Sequence, residues 1–143
     1  AGGKGQPCRR IVEFVDIYPT LTELAGLPTP KQVEGCSLKR LLDNPLAQWN
    51  GTAITQVLRP ADYRLKDPVM GRSIRTERWR YSDWGEGKYG EELYDHFADP
   101  MEFNNLALNP TKENSIIIKS LKKELTKKAS GKVPTTPFSP KKL

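Results

Sequence analysis

Four short β-rich segments between residues 52 and 95 are the feature that most constrains how this 143-residue chain can fold. They run over Thr52–Leu58, Met70–Thr76, Arg78–Trp84 and Glu92–Asp95 and contain many β-branched and aromatic residues, which fit a pleated surface. Apart from the polar loop at 59–69, the connections between them are brief. Because parallel strands need crossover connections of roughly a dozen or more residues, this spacing predicts an antiparallel meander of four strands.

Two short helices are predicted before these strands. The apolar residues that repeat there at helical spacing are Ile17, Leu21 and Leu24. Gly26 supplies a C-terminal stop, so we expect a helix over residues 17–25. Ser37 is a suitable N-cap for a second helix over residues 38–42.

A longer helix is predicted after the strands, over residues 110–129, with Asn109 as its cap. Its apolar stripe consists of Ile117, Ile118, Leu121 and Leu125. Together these patterns indicate an α+β fold, in which a small four-stranded antiparallel sheet carries a packed C-terminal helix. The tail at residues 131–143 contains three prolines and no periodicity, and we predict that it is disordered.

The positive charge of the chain is concentrated at its C-terminal end. The formal net charge is +6, but the nine Lys and two Glu from Pro110 onward contribute +7, which leaves −1 for the remainder. A nucleic-acid-binding domain usually concentrates its charge on a folded recognition surface. We therefore interpret the lysines as a solvated helix face and predict no nucleic-acid partner. No run of about 18 apolar residues is present, so we also predict no membrane span.

Residues 70–84 carry four arginines and three aromatic residues, a composition that suits a nucleic-acid groove or a β-hairpin. In a hairpin that turns near Thr76, alternation places Trp79 and Tyr81 on one face of the second strand and Arg78 and Arg80 on the other. A half-buried sheet produces this separation, whereas a stacking platform for bases needs rings and cations on one open face. We therefore predict a hairpin with its rings and guanidinium groups on opposite faces.

No catalytic or metal site can be assembled from the sequence. His96 is the only histidine, and adjacent ligands such as Asp95 and Asp99 rarely converge on one ion at a turn. No Ser-His-Asp set and no Gly-rich phosphate loop can be built, and residues 85–90 are interpreted as a flexible loop. We predict that this chain contains no catalytic and no metal-binding residues. Two cysteines, at positions 8 and 36, leave open whether they pair.

Four blocks of the chain resemble, in order and in spacing, the C-terminal part of the sulfatase family. They are VEFVDIYPTLTELAGLP (residues 12–28), EGCSL (34–38), MGRSIRTERWRY (70–81) and ELYDHFADPMEFNNLA (92–107). The resemblance is closest to the iduronate-2-sulfatase-like group. It implies a parent enzyme of the alkaline-phosphatase type that hydrolyses sulfate esters with a calcium ion and a formylglycine. In the family these groups precede the block that resembles residues 12–28, so the resemblance implies no cofactor in this chain and a sulfatase catalytic domain as its partner.

One segment imitates the formylglycine motif of the family, C/S-x-P-x-R. Cys36 and Arg40 stand at the motif's spacing, but Leu38 replaces its proline. The segment also matches a family block that lies far downstream of the nucleophile. Cys36 is therefore interpreted as a semi-buried thiol before a short helix.

The resemblance also implies that loops of the small sheet help to shape a substrate pocket. Arg72, Arg75 and Trp84, together with the loop at 85–90, are candidates for contact with an anionic sugar sulfate. A structural role competes with this for Arg75, because its planar fork suits pairing with a buried carboxylate.

These inferences divide the chain into the end of a catalytic α/β domain (residues 1–50), a C-terminal α+β subdomain (51–130) and a disordered tail (131–143). The expected function is that of the C-terminal region of a sulfatase, with sulfated glycans as candidate substrates and no activity by itself. The resemblance implies a periplasmic, secreted or lysosomal location. Two alternatives remain: a stand-alone module that binds anionic polymers through its lysine helix, and a subunit of a split sulfatase.

Overall fold

The computed structural model of the chain describes residues 2–59 and 67–129. Its helices are α1 (Ile17–Leu24), α2 (Lys39–Asp43) and α3 (Lys112–Ala129). A 3-10 turn at Phe14–Asp16 directly precedes α1. Its strands are β1 (Ala53–Arg59), β2 (Val69–Arg75), β3 (Trp79–Trp84) and β4 (Glu91–Asp95). Each predicted helix and strand is present, with bounds within two residues of those expected. No helix in the described ranges combines the length and the apolar character needed to cross a bilayer. The predicted disorder of 131–143 lies outside the described residues.

The four strands form one antiparallel sheet in the order β1-β2-β3-β4, which confirms the predicted meander. A single row of side chains crosses the sheet, because the register opposes Ile54 to Ile74, Ile74 to Tyr81, and Tyr81 to Leu93. The last three side chains of this row are completely buried. The row is the sheet's contribution to the hydrophobic core.

Helix α3 covers this row and completes the α+β fold. Leu121 and Leu125 are buried against the sheet, and Ile117 and Ile118 pack at the edge of the core, as the predicted stripe requires. Each fully buried aliphatic side chain contributes roughly 1.5–3 kcal/mol, so this contact fixes the helix on the sheet. The cap is Thr111, whose hydroxyl accepts the N–H of the third helical residue at 3.1 Å. The predicted cap, Asn109, is wrong because the helix begins two residues later than expected.

Buried polar side chains hold the N-terminal region together. The Asp16 carboxylate accepts the backbone N–H groups of Glu13 and Cys36, both at 2.8 Å. The Thr20 hydroxyl donates to the Asp16 carbonyl at 2.6 Å and accepts the N–H of Leu38 at 2.8 Å. The carboxylate of Glu13 then accepts the N–H of the second residue of β1 at 2.7 Å. The segments at 12–28 and 34–38 are therefore one hydrogen-bonded unit joined to the sheet edge.

The predicted separation of rings and guanidinium groups is wrong in part. Trp79 and Tyr81 share the face that packs on α3. Arg72 lies on that same face, because the register places it opposite Asp83, two residues along β3 from Tyr81. Trp84 lies on the other face, since an odd number of residues separates it from Asp83 and Tyr81 along the strand. Arg72 is an exception to the predicted separation because the α3-facing side contains a buried acid, Asp83, that needs a cation.

Candidate functional site

Arg72 is held by a buried carboxylate. Its Nε and Nη2 donate to the two side-chain oxygens of Asp83 at 3.2 and 3.0 Å. The Asp83 side chain is completely buried and that of Arg72 is 11% exposed. A bidentate ion pair of this kind satisfies both charges and fixes the plane of the guanidinium. Its remaining terminal nitrogen lies 3.9 Å from the carboxylate of Glu86, in the turn after β3.

Arg75 has an environment that we did not expect. The predicted pairing with a buried carboxylate is wrong, because its guanidinium donates to the backbone carbonyls of Thr76 and Trp79. Burial lowers the pKa of Arg75, and the nearby Arg80 lowers this pKa further, while Glu102 opposes the change. Within residues 2–59 and 67–129, no carboxylate lies at ion-pair distance from Arg75. The buried acid is Asp83, which is the cross-strand partner of Arg72 and not of Arg75.

Trp84 lies on the sheet face that points away from α3. Its ring covers Gly71, where an added Cβ would stand 2.5 Å from a ring carbon, so this position requires glycine. The guanidinium of Arg59 lies 4.3 Å from the ring centroid, within cation–π range. Together with Ser73 and Ser82, Trp84 lines a concavity of about 180 Å³.

The three predicted contact residues do not form one site. Arg72 and Trp84 both border the concavity on the outer face, but the guanidinium of Arg72 is bonded to Asp83 on the α3-facing side of the sheet. Arg75 lines a different cleft, at the end of the β2–β3 hairpin. Arg72 and Arg75 are three residues apart on β2, which corresponds to about 10 Å along the strand. Because this separation is an odd number of residues, their side chains point to opposite faces of the sheet.

The turn at residues 85–90 is fixed to α3. Lys122 donates to the carbonyl of Glu86 at 3.1 Å and to the carboxylate of Glu91 at 2.6 Å. The buried Tyr81 hydroxyl donates to the same carboxylate at 2.7 Å. The bond from Lys122, followed by that from Tyr81, lowers the pKa of Glu91, while burial raises the pKa of Tyr81. The loop that we expected to be flexible is thus anchored to the helix.

His96 does not combine with the acids beside it. Its Nε2 lies 2.6 Å from the carboxylate of Glu102. Asp95 instead pairs with Arg78 at 2.7 Å, and Asp99 accepts a backbone N–H at 2.8 Å. In the part of the chain that the structure describes, no three His, Cys, Asp or Glu side chains are grouped to hold a metal. These residues do not fit the calcium ion that the sulfatase resemblance implies for the parent enzyme.

Cys36 lies in a segment with a structural role. Its backbone, not its thiol, faces Asp16, and the thiol is exposed where we expected it to be semi-buried. Gly35 lies so close to the 3-10 turn that an added Cβ would stand 2.2 Å from the carbonyl oxygen of Val15. Cys8 and Cys36 are both free, so they do not form a disulfide.

A further cleft, which we call the basic cleft, was not predicted from the sequence. Residues 7–11 cross the end of the β2–β3 hairpin, where Arg10 pairs with Glu77 at 2.7 Å. The space between them has a volume of about 850 Å³, and its basic lining residues are Arg9, Arg10, Arg75 and His96. The sequence signal for this cleft was the pair of adjacent arginines at positions 9 and 10. Because these residues are far from Arg75 along the chain, the sequence did not show that the three arginines line one cleft.

The family model described as N-sulphoglucosamine sulphohydrolase, C-terminal, matches residues 3–131. The chain belongs to this family. The resemblance to the C-terminal part of sulfatases is thereby confirmed, and the α+β unit described above is a sulphohydrolase C-terminal domain.

Named sulfatases are similar to this sulphohydrolase C-terminal domain. Arylsulfatase K of Canis lupus familiaris is 30% identical over 107 residues, which cover 71% of this chain and 20% of the relative. The Delta 4,5-hexuronate-2-O-sulfatase of Bacteroides thetaiotaomicron is 34% identical over 96 residues, which cover 67% of this chain and 19% of the relative. A solved structure described as a 2-O GAG sulfatase superimposes with a TM-score of 0.62 at 30% identity, covering 81% of this chain and 25% of that one. The chain thus spans about a fifth of the length of the curated relatives it matches.

Proposed function

We propose that this domain completes a sulfuric ester hydrolase whose catalytic centre lies in a separate α/β domain, on which it docks through residues 12–27. The observation that carries the proposal is the apolar character of that segment. Its exposed side chains include Phe14 (88%), Ile17, Tyr18, Leu21 (59%), Leu24 and Leu27. Exposed apolar patches mark interaction surfaces. Because the family model describes a C-terminal domain, the fitting partner is the domain that precedes it in sulfatases.

The residues of this domain indicate which parts of the proposed enzyme lie in the partner domain. Among the described residues no three His, Cys, Asp or Glu side chains are grouped to hold a metal, and the Cys36 segment lacks the motif's proline. These observations support a partner domain that carries the calcium ion and the formylglycine. The reaction is the hydrolysis of a sulfate ester, and the 2-O-sulfatase named among the relatives supports a sulfated glycan as the substrate. Such a substrate supports a location in the periplasm, in a lysosome or among secreted proteins.

The domain contributes to the substrate pocket from two places. Trp84 offers a ring at the outer concavity, which the backbone of Arg72 also borders, and Arg75 offers a cation at the basic cleft. Helix α3 is a weaker candidate for binding anionic polymers, because Lys122 and Lys128 are paired with Glu91 and a neighbouring glutamate on the same helix. No specific contact favours that alternative.

The docking surface can be tested by co-purification. The chain would be co-expressed with the α/β domain encoded next to it, and the hydrolysis of 4-methylumbelliferyl sulfate measured with calcium. We expect Phe14→Asp and Leu21→Asp to abolish co-purification and turnover, because each buries a charge in the interface. Ile116→Asp is the matched control, since Ile116 is 69% exposed on α3, and it should leave both unchanged.

Two results would overturn the proposal. One is turnover by this chain alone that disappears in Cys36→Ala, which would place a nucleophile inside the domain. The other is a neighbouring reading frame without an α/β domain or a C/S-x-P-x-R motif.

A further inference from the structure

We propose that the basic cleft is a binding site for the anionic group of a sulfated saccharide, which Arg75 and Arg9 hold against an apolar wall. The class of ligand rests on the function proposed above, but the site is argued from the cleft itself. The shared chemistry is a singly charged oxyanion on a sugar ring, either a sulfate ester or a carboxylate.

Arg75 is the central cation of the cleft. It stands directly opposite Arg80 in the β2–β3 register, a position in which like charges repel. Glu102 pairs with Arg80 at 3.1 Å and leaves Arg75 without a carboxylate among the described residues. An oxyanion bound at Arg75 would remove this repulsion and restore the solvation that burial has taken away.

The acids around the cleft are already engaged. Glu77 pairs with Arg10 at 2.7 Å. Glu102 lies between Arg80 and His96, at 3.1 and 2.6 Å. Arg9 has no acid at ion-pair distance within the described ranges, so Arg9 and Arg75 are the two cations with free charge. The cleft therefore has a surplus of about two positive charges, which favours an anion.

The shape of the cleft fits one or two sugar units. Ligand pockets for small molecules commonly measure about 300–1,000 Å³, and this cleft has a volume of about 850 Å³. Phe97, which is 73% exposed, and the nearby Ile11 and Pro100 form an apolar wall on which the C–H face of a sugar ring can pack. A guanidinium fork matches two oxygens of a sulfate or a carboxylate.

Hydrogen bonds hold the N-terminal side of the cleft in place. Arg10 donates to the carbonyl of Leu46 at 3.3 Å in addition to its ion pair with Glu77. The indole N–H of Trp49 donates to the carbonyl of Ile11 at 2.8 Å. Because both flanking residues are fixed, the backbone of Arg9 is held at the cleft, and less ordering is needed when a ligand binds.

The experiment is an NMR titration of the 15N-labelled chain with three sugars. The probes are N-acetylglucosamine 6-sulfate, glucuronic acid and neutral N-acetylglucosamine, and the Nε–Hε signal of Arg75 reports on the cleft. We expect one or both anionic sugars to shift this signal, the neutral sugar to leave it unchanged, and added salt to weaken binding. A response to the first probe alone assigns a sulfate site, and a response to the second alone assigns a carboxylate site.

Variants localise the binding. Arg75→Gln should weaken it roughly tenfold or more, because a hydrogen-bonded charge is lost, and Arg75→Lys should weaken it less. Arg59→Gln is the matched control, since it removes an arginine from the outer face, and thermal melting would verify that each variant folds. The proposal is overturned if no anionic sugar binds, or if Arg59→Gln removes binding and Arg75→Gln does not. It is also overturned if, in the assembled enzyme, Arg75→Gln disrupts docking of the α/β domain, since an acidic side chain of that domain would then fill the cleft.

Discussion

At the scale of single residues, the Arg72–Asp83 pair is the charge contact on which the sheet most depends. Arg72→Met leaves the completely buried Asp83 carboxylate without its cation, which should lower the free energy of unfolding by about 3–5 kcal/mol. Urea denaturation measures this change. Lys39→Gln is the control, because both side chains of the Lys39–Asp43 ion pair are exposed, at 42% and 48%, and the loss of this pair should have little effect. Recovery of stability in the double variant Arg72→Met/Asp83→Leu would support the mechanism, and an unchanged single variant would contradict it.

The partner of each arginine was the part of the site that sequence could not supply. Alternation shows which residues share a face of a strand, but not which residue on the next strand opposes them. A turn displaced by one residue moves every opposing pair, so the expected hairpin near Thr76 could not correct the prediction that Arg75 pairs with a buried acid. Only the observed register, which opposes Arg72 to Asp83 and Arg75 to Arg80, shows which arginine pairs with the acid.

At the scale of helices and strands, Glu91 joins β3, β4 and α3 and should make their association depend on pH. Its pKa is lowered below the ordinary 4.5 by Lys122 first and Tyr81 second. A carboxyl whose folded pKa is depressed adds stability above its unfolded pKa, and that stability is lost as pH falls through the folded pKa. We expect the urea midpoint to fall as pH drops below about 4.5, with a shallower fall in Glu91→Gln.

The slope of the urea midpoint against pH distinguishes the effect of the Glu91–Lys122–Tyr81 network from general unfolding by acid. Glu23→Gln, on α1 and away from the network, should keep the wild-type slope. Identical slopes for wild type and Glu91→Gln would show that the carboxylate is not linked to folding.

The arrangement of these elements could be predicted because local signals agreed with one another. Brief connections required antiparallel neighbours, the alternation of Trp79 and Tyr81 with arginines indicated one buried face, and the stripe at Leu121 and Leu125 indicated a packed helix. The basic cleft could not be predicted in the same way. It is formed by residues 7–11, which have no periodicity, and its position depends on contacts such as Arg10 with Glu77 that no local pattern encodes.

At the scale of the whole molecule, the chain should contain two parts of unequal stability, which would test the boundary that we predict near residue 50. The sheet and α3 share a buried core, whereas α1 is held by a few polar contacts through Asp16 and Thr20 and leaves Leu21 and Leu24 exposed. Segments with few buried apolar contacts open at low free energy. We therefore expect hydrogen exchange to be much faster in α1 than in β2 and β3 when the chain is alone.

Docking should reverse this difference, since burial of α1 against the α/β domain removes its exposed apolar surface from water. Exchange in Ile17–Leu24 would then slow markedly in the complex, while exchange in β2 and β3 would change little. Leu21→Asp should prevent the slowing and Ile116→Asp should not. If α1 is already as protected as the sheet in the free chain, its stability comes from within the domain, and the apolar segment has no need of a partner.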